Sequence, residues 1–549
     1  MKTVVIIPAR AGSKGIPQKN IRFLNGKPLL YYAINTALQL DNARVYVSTD
    51  SHDIAHIAEI LGARTLIRDR YSDDDSTLDQ VISYEIEKLS ERGEKYETVI
   101  TLQPTSPLLR INTLRTAVSF YQKNNLTSLI SATPRKHLSW IKDNDNFYPM
   151  YEKRVNRQQL TPIYEENGAF LICQTSHVLN QGSRISKDIK IFEIDEAESV
   201  DIDSQNDWIL AENILKRRNI AIVTNGNTTI GMGHIYRSLT LSSKFSNDNV
   251  FFFSNTVNRL GIQKLTSLNY EVTEYSDDQH LILLLMQHDI QLVINDTLDT
   301  NETYMKSLKE AGFFVVNFED TGRGANHADL VINALYEWSN NTSENYYGYQ
   351  YEVLREDIYL YPVKSQSCGN LKNILVGFGG TDPENATIKI LEALVSFLPS
   401  EIQLTVVLGV GYQYEAELND FLSTIDASNI HVIKDVYAMA DYLYKSDLVI
   451  SGNGRMVYET VGLGIPLIAI SQNEREMSHI FPRVCKGVGY LGYIKTLDFE
   501  KLETEVLMLM RKEYCQQVYE EIRDKAFEIR QGVNRVINLI NQRYDDARQ

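Results

Sequence analysis

The chain has 549 residues, 43% of them apolar, and a formal net charge of −16. That length exceeds what one hydrophobic core serves, so two or three domains are expected. The acidic balance excludes a general nucleic-acid or anionic-membrane binder, which needs an extended basic face, and no apolar run is long enough to span a bilayer as a helix. The opening run of apolar residues ends at Pro8 and Arg10 without a small-residue cleavage site, so it reads as a buried first strand and not as a signal peptide. Cys173, Cys368, Cys485 and Cys515 show neither CxxC nor Cys/His spacing, so no zinc site or disulfide framework is expected. A cytoplasmic location is expected.

Short β-branched runs alternate with amphipathic segments of helical length, the pattern of α/β domains. The first block gives strands at 3–9, 44–48, 98–102, 169–173 and 189–194, with helices at 27–40 and 205–217. Lys216, Arg217 and Arg218 complement the dipole at the end of that last helix. A fresh apolar strand at 220–224 then opens a second block, so one domain is expected over 1–217 and another over 218–549. The second block divides into halves, roughly 218–365 and 366–549, with strands at 250–253, 292–294 and 313–316 in one. Strands at 371–377, 404–408, 448–450 and 466–470 fall in the other, and the tail from about residue 513 reads as one charged helix. Two such halves meeting at a cleft, each with a glycine-rich strand-to-helix turn, make a natural nucleotide-sugar site.

Residues 7–20, IPARAGSKGIPQKN, follow the first strand and carry two glycines, a serine and three cations. Glycine lets backbone N–H groups approach phosphate oxygens, and Arg10, Lys14 and Lys19 can neutralise a triphosphate. The spacing is not that of a P-loop. Further along stand Leu102-Gln103-Pro104-Thr105-Ser106-Pro107, Asn156-Arg157-Gln158-Gln159, Asn167-Gly168-Ala169 and Val200-Asp201-Ile202-Asp203-Ser204. Asp201 and Asp203 alternate along an extended segment, which puts both carboxylates on one face, suited to a hard cation such as Mg²⁺.

These ordered segments resemble the signatures of CMP-sialic acid synthetases over roughly residues 1–215. The resemblance implies a nucleotidyltransferase Rossmann-like (GT-A-like) domain that transfers CMP from CTP to a sialic-, legionaminic- or pseudaminic-type (nonulosonic) acid. It implies Arg10, Gly12, Ser13, Lys14, Asn20 and Arg68 as nucleotide-binding residues. Gln103, Arg157 and Asn167 fall to the acceptor sugar, and Lys19, Asp201 and Asp203 to catalysis, the two aspartates holding Mg²⁺. The family has a Pro after the arginine at 68, where this chain has Asp69. A homo-oligomer formed through this domain is also expected.

In the second block, Thr229-Ile230-Gly231-Met232-Gly233-His234 follows the strand at 220–224 and opens a helix. Phe378-Gly379-Gly380-Thr381-Asp382 begins the second half in the same way. Ser451-Gly452-Asn453-Gly454-Arg455, Tyr458-Glu459 and Gln472-Asn473-Glu474 follow. This set, over about 219–500, resembles the UDP-sugar hydrolase of pseudaminic acid biosynthesis, in the glycosyltransferase-B (GT-B) superfamily. The resemblance implies a double Rossmann domain cleaving a UDP-linked amino sugar, with His234 as general base. Gly231, Gly233, Gly379, Gly380, Asn453 and Gly454 would approach the nucleotide diphosphate, Glu459 the ribose and Asn473 the sugar. Where that hydrolase has Asp-His-Tyr, this chain has Asp296-Thr297-Leu298. A glycosyltransferase and a non-catalytic nucleotide-sugar-binding module are the alternatives.

Overall fold

The computed structural model describes residues 2–12, 15–73, 75–336, 344–364, 371–436 and 438–548. Ser13, Lys14 and Cys368 therefore lie outside the described residues. The chain divides into two compact units, residues 1–217 and 218–549.

The N-terminal unit is built on a seven-stranded sheet in the order Lys190–Glu193, Ser128–Arg135, Ile163–Gln174, Thr98–Leu102, Thr3–Pro8, Ala43–Thr49, Arg64–Ile67. The central strands TVVIIP and TVITL are buried almost throughout, as expected where helices cover both faces. The sheet is mixed, because Ile163–Gln174 runs antiparallel to both its neighbours. Strands Thr3–Pro8 and Thr98–Leu102 lie side by side and parallel. The loops after their carboxyl ends, 9–18 and 103–110, therefore open into one crevice. A separate hairpin, Trp140–Asp143 with Asn146–Pro149, is exposed at every residue.

The C-terminal unit contains two all-parallel sheets. One has seven strands in the order Val272–Tyr275, Asn249–Asn255, Asn219–Thr224, Leu292–Asp296, Phe314–Phe318, Leu330–Asn333, Asn345–Tyr347. The other has six, Ile430–Lys434, Gln403–Leu408, Asn373–Gly377, Leu448–Gly452, Leu467–Ser471, Val488–Tyr493. Each sheet reverses its winding beside its first strand, the double Rossmann arrangement of a GT-B-like unit.

The halves do not divide as the sequence suggests. The tail forms two helices, Lys512–Ile529 and Gly532–Asp546. Val533, Val536, Ile540 and Tyr544 of the second pack into the core of the first half, with Ile220, Ile294 and Leu330. A Cβ at residue 532 would lie 2.0 Å from the Glu352 carbonyl oxygen, so only glycine lets the returning chain pass there. Among the described residues no helix is long and apolar enough to cross a membrane.

Candidate active sites

In the N-terminal unit, the loop after Thr3–Pro8 is pinned from three sides. Asp50 Oδ1 accepts from the Ala11 amide at 2.8 Å, Arg10 donates to the Asp73 carbonyl, and Asn20 Nδ2 donates to the Arg10 carbonyl at 2.9 Å. Asn20 is buried and spends that donor on the loop, so it shapes the turn instead of offering this group to a nucleotide. Gly15 brings the loop against the acidic segment: a Cβ there would lie 2.4 Å from the Asp203 carbonyl oxygen. Lys19 Nζ donates to the Ile202 carbonyl at 2.6 Å and meets Asp203 Oδ1 at 3.2 Å.

The acidic segment is tied to the 103–107 loop by the Ile202 amide, which donates to the Thr105 carbonyl at 2.8 Å. Gly168, at φ +67°, closes the crevice: a Cβ there would meet Gln103 Nε2 at 2.8 Å and Asp201 Oδ2 at 3.3 Å. Gln103, Asp201, Asp203, Lys19 and the loop therefore surround one space. Burial raises the Asp201 carboxyl above the ordinary range, and the neighbouring Asp203 charge adds to this. Its Oδ1 is buried beside the Thr105 hydroxyl without a well-formed hydrogen bond.

That orphaned carboxylate oxygen, next to an exposed second carboxylate, suits a hard cation with oxygen ligands. Among the described residues no group of three or more His, Cys, Asp or Glu side chains gathers for a metal. An ion at Asp201 and Asp203 would complete its shell with water or phosphate, as Mg²⁺ ordinarily does.

Arg68 is buried, with its Nη1 on the Tyr71 carbonyl, and burial lowers its basicity against the attraction of Asp50 and Glu85. Asn167 does not reach out toward a sugar. Its Oδ1 accepts from Ser131 Oγ at 2.7 Å and its Nδ2 donates to Thr133 Oγ1 at 2.9 Å, inside the sheet. Arg157 is exposed on the short turn Arg157–Gln159, and Gly12 is exposed on the loop.

In the C-terminal unit, a cleft of about 320 Å³ runs between the halves and is lined by Gly231, Gly233, His234, Gly380, Gly454 and Asn473, among others. The two glycine turns approach closely: a Cβ on Gly380 would lie 3.2 Å from the Met232 amide nitrogen. Gly231 and Gly379 take positive φ, +78° and +75°, which favours glycine at both turns.

His234 opens helix Gly233–Lys244, and its Nδ1 lies 2.6 Å from Asp296 Oδ1 at the end of strand Leu292–Asp296. Arg237, one helical turn further, brackets the same carboxylate with Nε at 2.9 Å and Nη2 at 2.5 Å, while its Nη1 donates to Glu319 Oε1 at 3.0 Å. Burial works against the Asp296 charge, yet Arg237 and His234 hold this carboxyl well below the ordinary range. Asp296 therefore orients the imidazole through Nδ1 and leaves Nε2 as the ring's second nitrogen. Sequence reasoning missed Asp296, Arg237 and Glu319. The spacing His234–Arg237 was an available signal, since positions three apart share a helix face.

Asn453 is corrected. Its backbone amide donates to Glu476 Oε2 at 3.2 Å and its side chain to the Glu476 and His479 carbonyls, so it holds the turn together instead of facing a diphosphate. Glu476, pushed up to about 7 by burial, also accepts from the Gln472 amide at 2.8 Å. Glu459 lines the cleft, and burial raises its carboxyl. Asn473 caps the helix Glu474–Met477 through its side-chain oxygen. Leu298 lines the cleft at φ +91°, held between Asp296 and Asp299, the latter paired with Arg475 at 3.1 Å.

The chain is similar to several known proteins. A family model described as Cytidylyltransferase matches residues 4–226. The chain is 31% identical over 233 residues to the CMP-N,N'-diacetyllegionaminic acid synthase of Legionella pneumophila, covering 41% of this chain and 100% of that protein. It is 32% identical over 228 residues to the pseudaminic acid cytidylyltransferase of Campylobacter jejuni, covering 39% and 97%. An uncharacterized protein of Methanocaldococcus jannaschii is 33% identical over 274 residues, covering 46% of this chain and 56% of its own length. The chain thus spans little more than half of that relative, and 52% of the matching N-acylneuraminate cytidylyltransferases of Streptococcus agalactiae.

Proposed function

The chain belongs to the cytidylyltransferase family through its N-terminal unit, and from that premise we propose that this unit transfers CMP from CTP to a nonulosonic acid. The observation that carries the reading is the closure of the Gly15 loop onto the Asp201–Asp203 segment, with Lys19 bridging the two. Backbone amides and Arg10 hold the triphosphate, and Lys19 draws it toward the carboxylates. Asp201 and Asp203 would hold Mg²⁺, whose chemistry there is to polarise the α-phosphate. The anomeric hydroxyl of the acid gives up its proton to solvent as its oxygen bonds to the α-phosphorus, and pyrophosphate departs as the bond from the α-phosphorus to the bridging oxygen breaks. Gln103, beside Asp201, is suited to the acceptor, and the relatives' named substrates support the class of acid. The exposed hairpin carrying Trp140, Ile141, Phe147 and Tyr148 supports self-association of this unit.

For the C-terminal unit we infer hydrolysis of a UDP-linked amino sugar. His234 Nε2 takes a proton from water, and the oxygen bonds to the anomeric carbon as UDP leaves. The Asp296 contact to Nδ1 supports this role, since a base needs its ring orientation fixed. Hydrolysis would release a sugar whose condensation product is the acid the first unit activates. His234→Ala should retain UDP binding and lose roughly 10²–10⁴-fold in turnover, read as UDP release from a panel of UDP-amino sugars. Release that requires an added acceptor points instead to a glycosyltransferase. UDP binding without turnover under either condition points to a non-catalytic module.

A further inference from the structure

Four ionisable groups are sealed together at the floor of the C-terminal cleft. His234 contacts Asp296, Arg237 spans Asp296 and Glu319, and the side chains of Arg237, Asp296 and Glu319 are at most 3% exposed. Neighbouring charges have partners of their own: Arg455 with Glu352 at 3.0 Å, Arg475 with Asp299 at 3.1 Å, and Arg355 with Asp357 at 3.4 Å. Burial moves nearby Glu459 toward its neutral form, and Tyr336 stays a neutral phenol.

Within the four, one cation faces two carboxylates. With a neutral imidazole and both carboxylates ionised, the cluster carries a net negative charge, and an uncompensated buried charge is costly. Neutrality is restored by one proton, and only His234 and Glu319 are free to take it, because Arg237 clamps Asp296 through two nitrogens. Glu319 is held in place by its surroundings. Its two oxygens accept from the Ala334 and Leu335 amides at 3.1 and 3.3 Å, and its backbone takes φ +52°, an unusual conformation for a buried glutamate. It also lines the cleft, so a proton can leave it.

This inference rests on His234 being the base of the cleft. We propose that Glu319 and His234 share one proton through Arg237 and Asp296, so that the cluster stays neutral as the imidazole changes charge. While His234 is neutral, Glu319 holds the proton; burial pushing its carboxyl up to about 7 agrees with this. When Nε2 takes a proton from the attacking water, the hydroxyl oxygen bonds to the anomeric carbon and the carbon–diphosphate bond breaks. Glu319 then gives its own proton to water in the cleft. Glu319 is thus a positioning residue that acts on the base through Arg237.

The test compares full-length wild type with Glu319→Gln, which keeps the acceptor oxygen and cannot ionise. Ring-¹⁵N histidine spectra are followed against pH, with His234→Ala assigning the signal. In Glu319→Gln, protonation of His234 should move to lower pH, a loss of about tenfold or more in proton affinity. UDP affinity should stay unchanged, and kcat should fall with KM held. Glu319→Met carries the same comparison should the amide variant not fold. Identical His234 titrations in wild type and variant would overturn the proposal. A shifted titration in a protein that releases no UDP from any UDP-sugar would leave proton sharing standing and remove hydrolysis.

Discussion

At the scale of single residues, three buried groups in the C-terminal unit contribute to how its stability responds to pH. The Glu319 and Glu476 carboxyls are each raised from 4.5 to about 7 by burial. The folded chain keeps protons there that the unfolded chain has already released between those values. Stability is therefore lost as pH rises through the window, on the order of 3 kcal/mol for each group. His479 acts with the opposite sign: burial lowers it from 6.5 to about 4, so its contribution is present above 6.5 and lost as pH falls toward 4. Thermal unfolding of wild type and of Glu319→Gln combined with Glu476→Gln, run from pH 5 to 7, separates the two. The double variant should gain stability relative to wild type as pH rises, and parallel curves would refute this assignment.

The same scale shows where residue identity alone runs out. Asn20, Asn167 and Asn453 all look like ligand-facing amides in the sequence. Each is spent on the protein's own carbonyls or hydroxyls, and nothing in the sequence distinguishes a buried amide that braces a loop from one that reaches a substrate. His234 was legible because it sits in a glycine turn. Its partner Asp296 was not, because their contact depends on strands Asn219–Thr224 and Leu292–Asp296 lying side by side.

At the scale of elements, uniform apolar runs were the legible part. TVITL is a strand over Thr98–Leu102 just as its β-branched pattern predicts. The pattern says nothing of direction, so the antiparallel course of Ile163–Gln174 was invisible. The tail was expected to be one helix because its charged amphipathic pattern runs on through the break, and Gly532 becomes decisive only once Glu352 stands in the way. The hairpin Trp140–Asp143 with Asn146–Pro149 went unread, since its exposed aromatics give no core periodicity. A lone two-stranded hairpin is marginal in water, which supports a second copy packing over it. Trp140→Ser with Phe147→Ser should shift the sedimentation of the protein toward monomer while leaving its unfolding transition in place. An unchanged sedimentation coefficient in the double variant would remove this surface as the interface.

At the scale of the whole molecule, two compact units carry two candidate sites, each at the carboxyl ends of adjacent parallel strands where the winding of a sheet reverses. Both expected sites are concave because of that reversal, and both depend on glycine where one chain segment crosses another: Gly15 against Asp203, and Gly380 against Met232. Cytidylyl transfer at Asp201 and Asp203 is read out as pyrophosphate release by purified protein. The assay supplies CTP, Mg²⁺ and a panel of sialic, legionaminic and pseudaminic acids, with Asp201→Asn and Asp203→Asn run alongside. Wild type should form CMP-sugar and pyrophosphate in equal amounts with at least one acid, and either variant should lose about 10²-fold or more of that rate, as expected when oriented charge at a transferring phosphoryl group is removed. Pyrophosphate release that needs no acid, or full activity in both variants, would contradict the account.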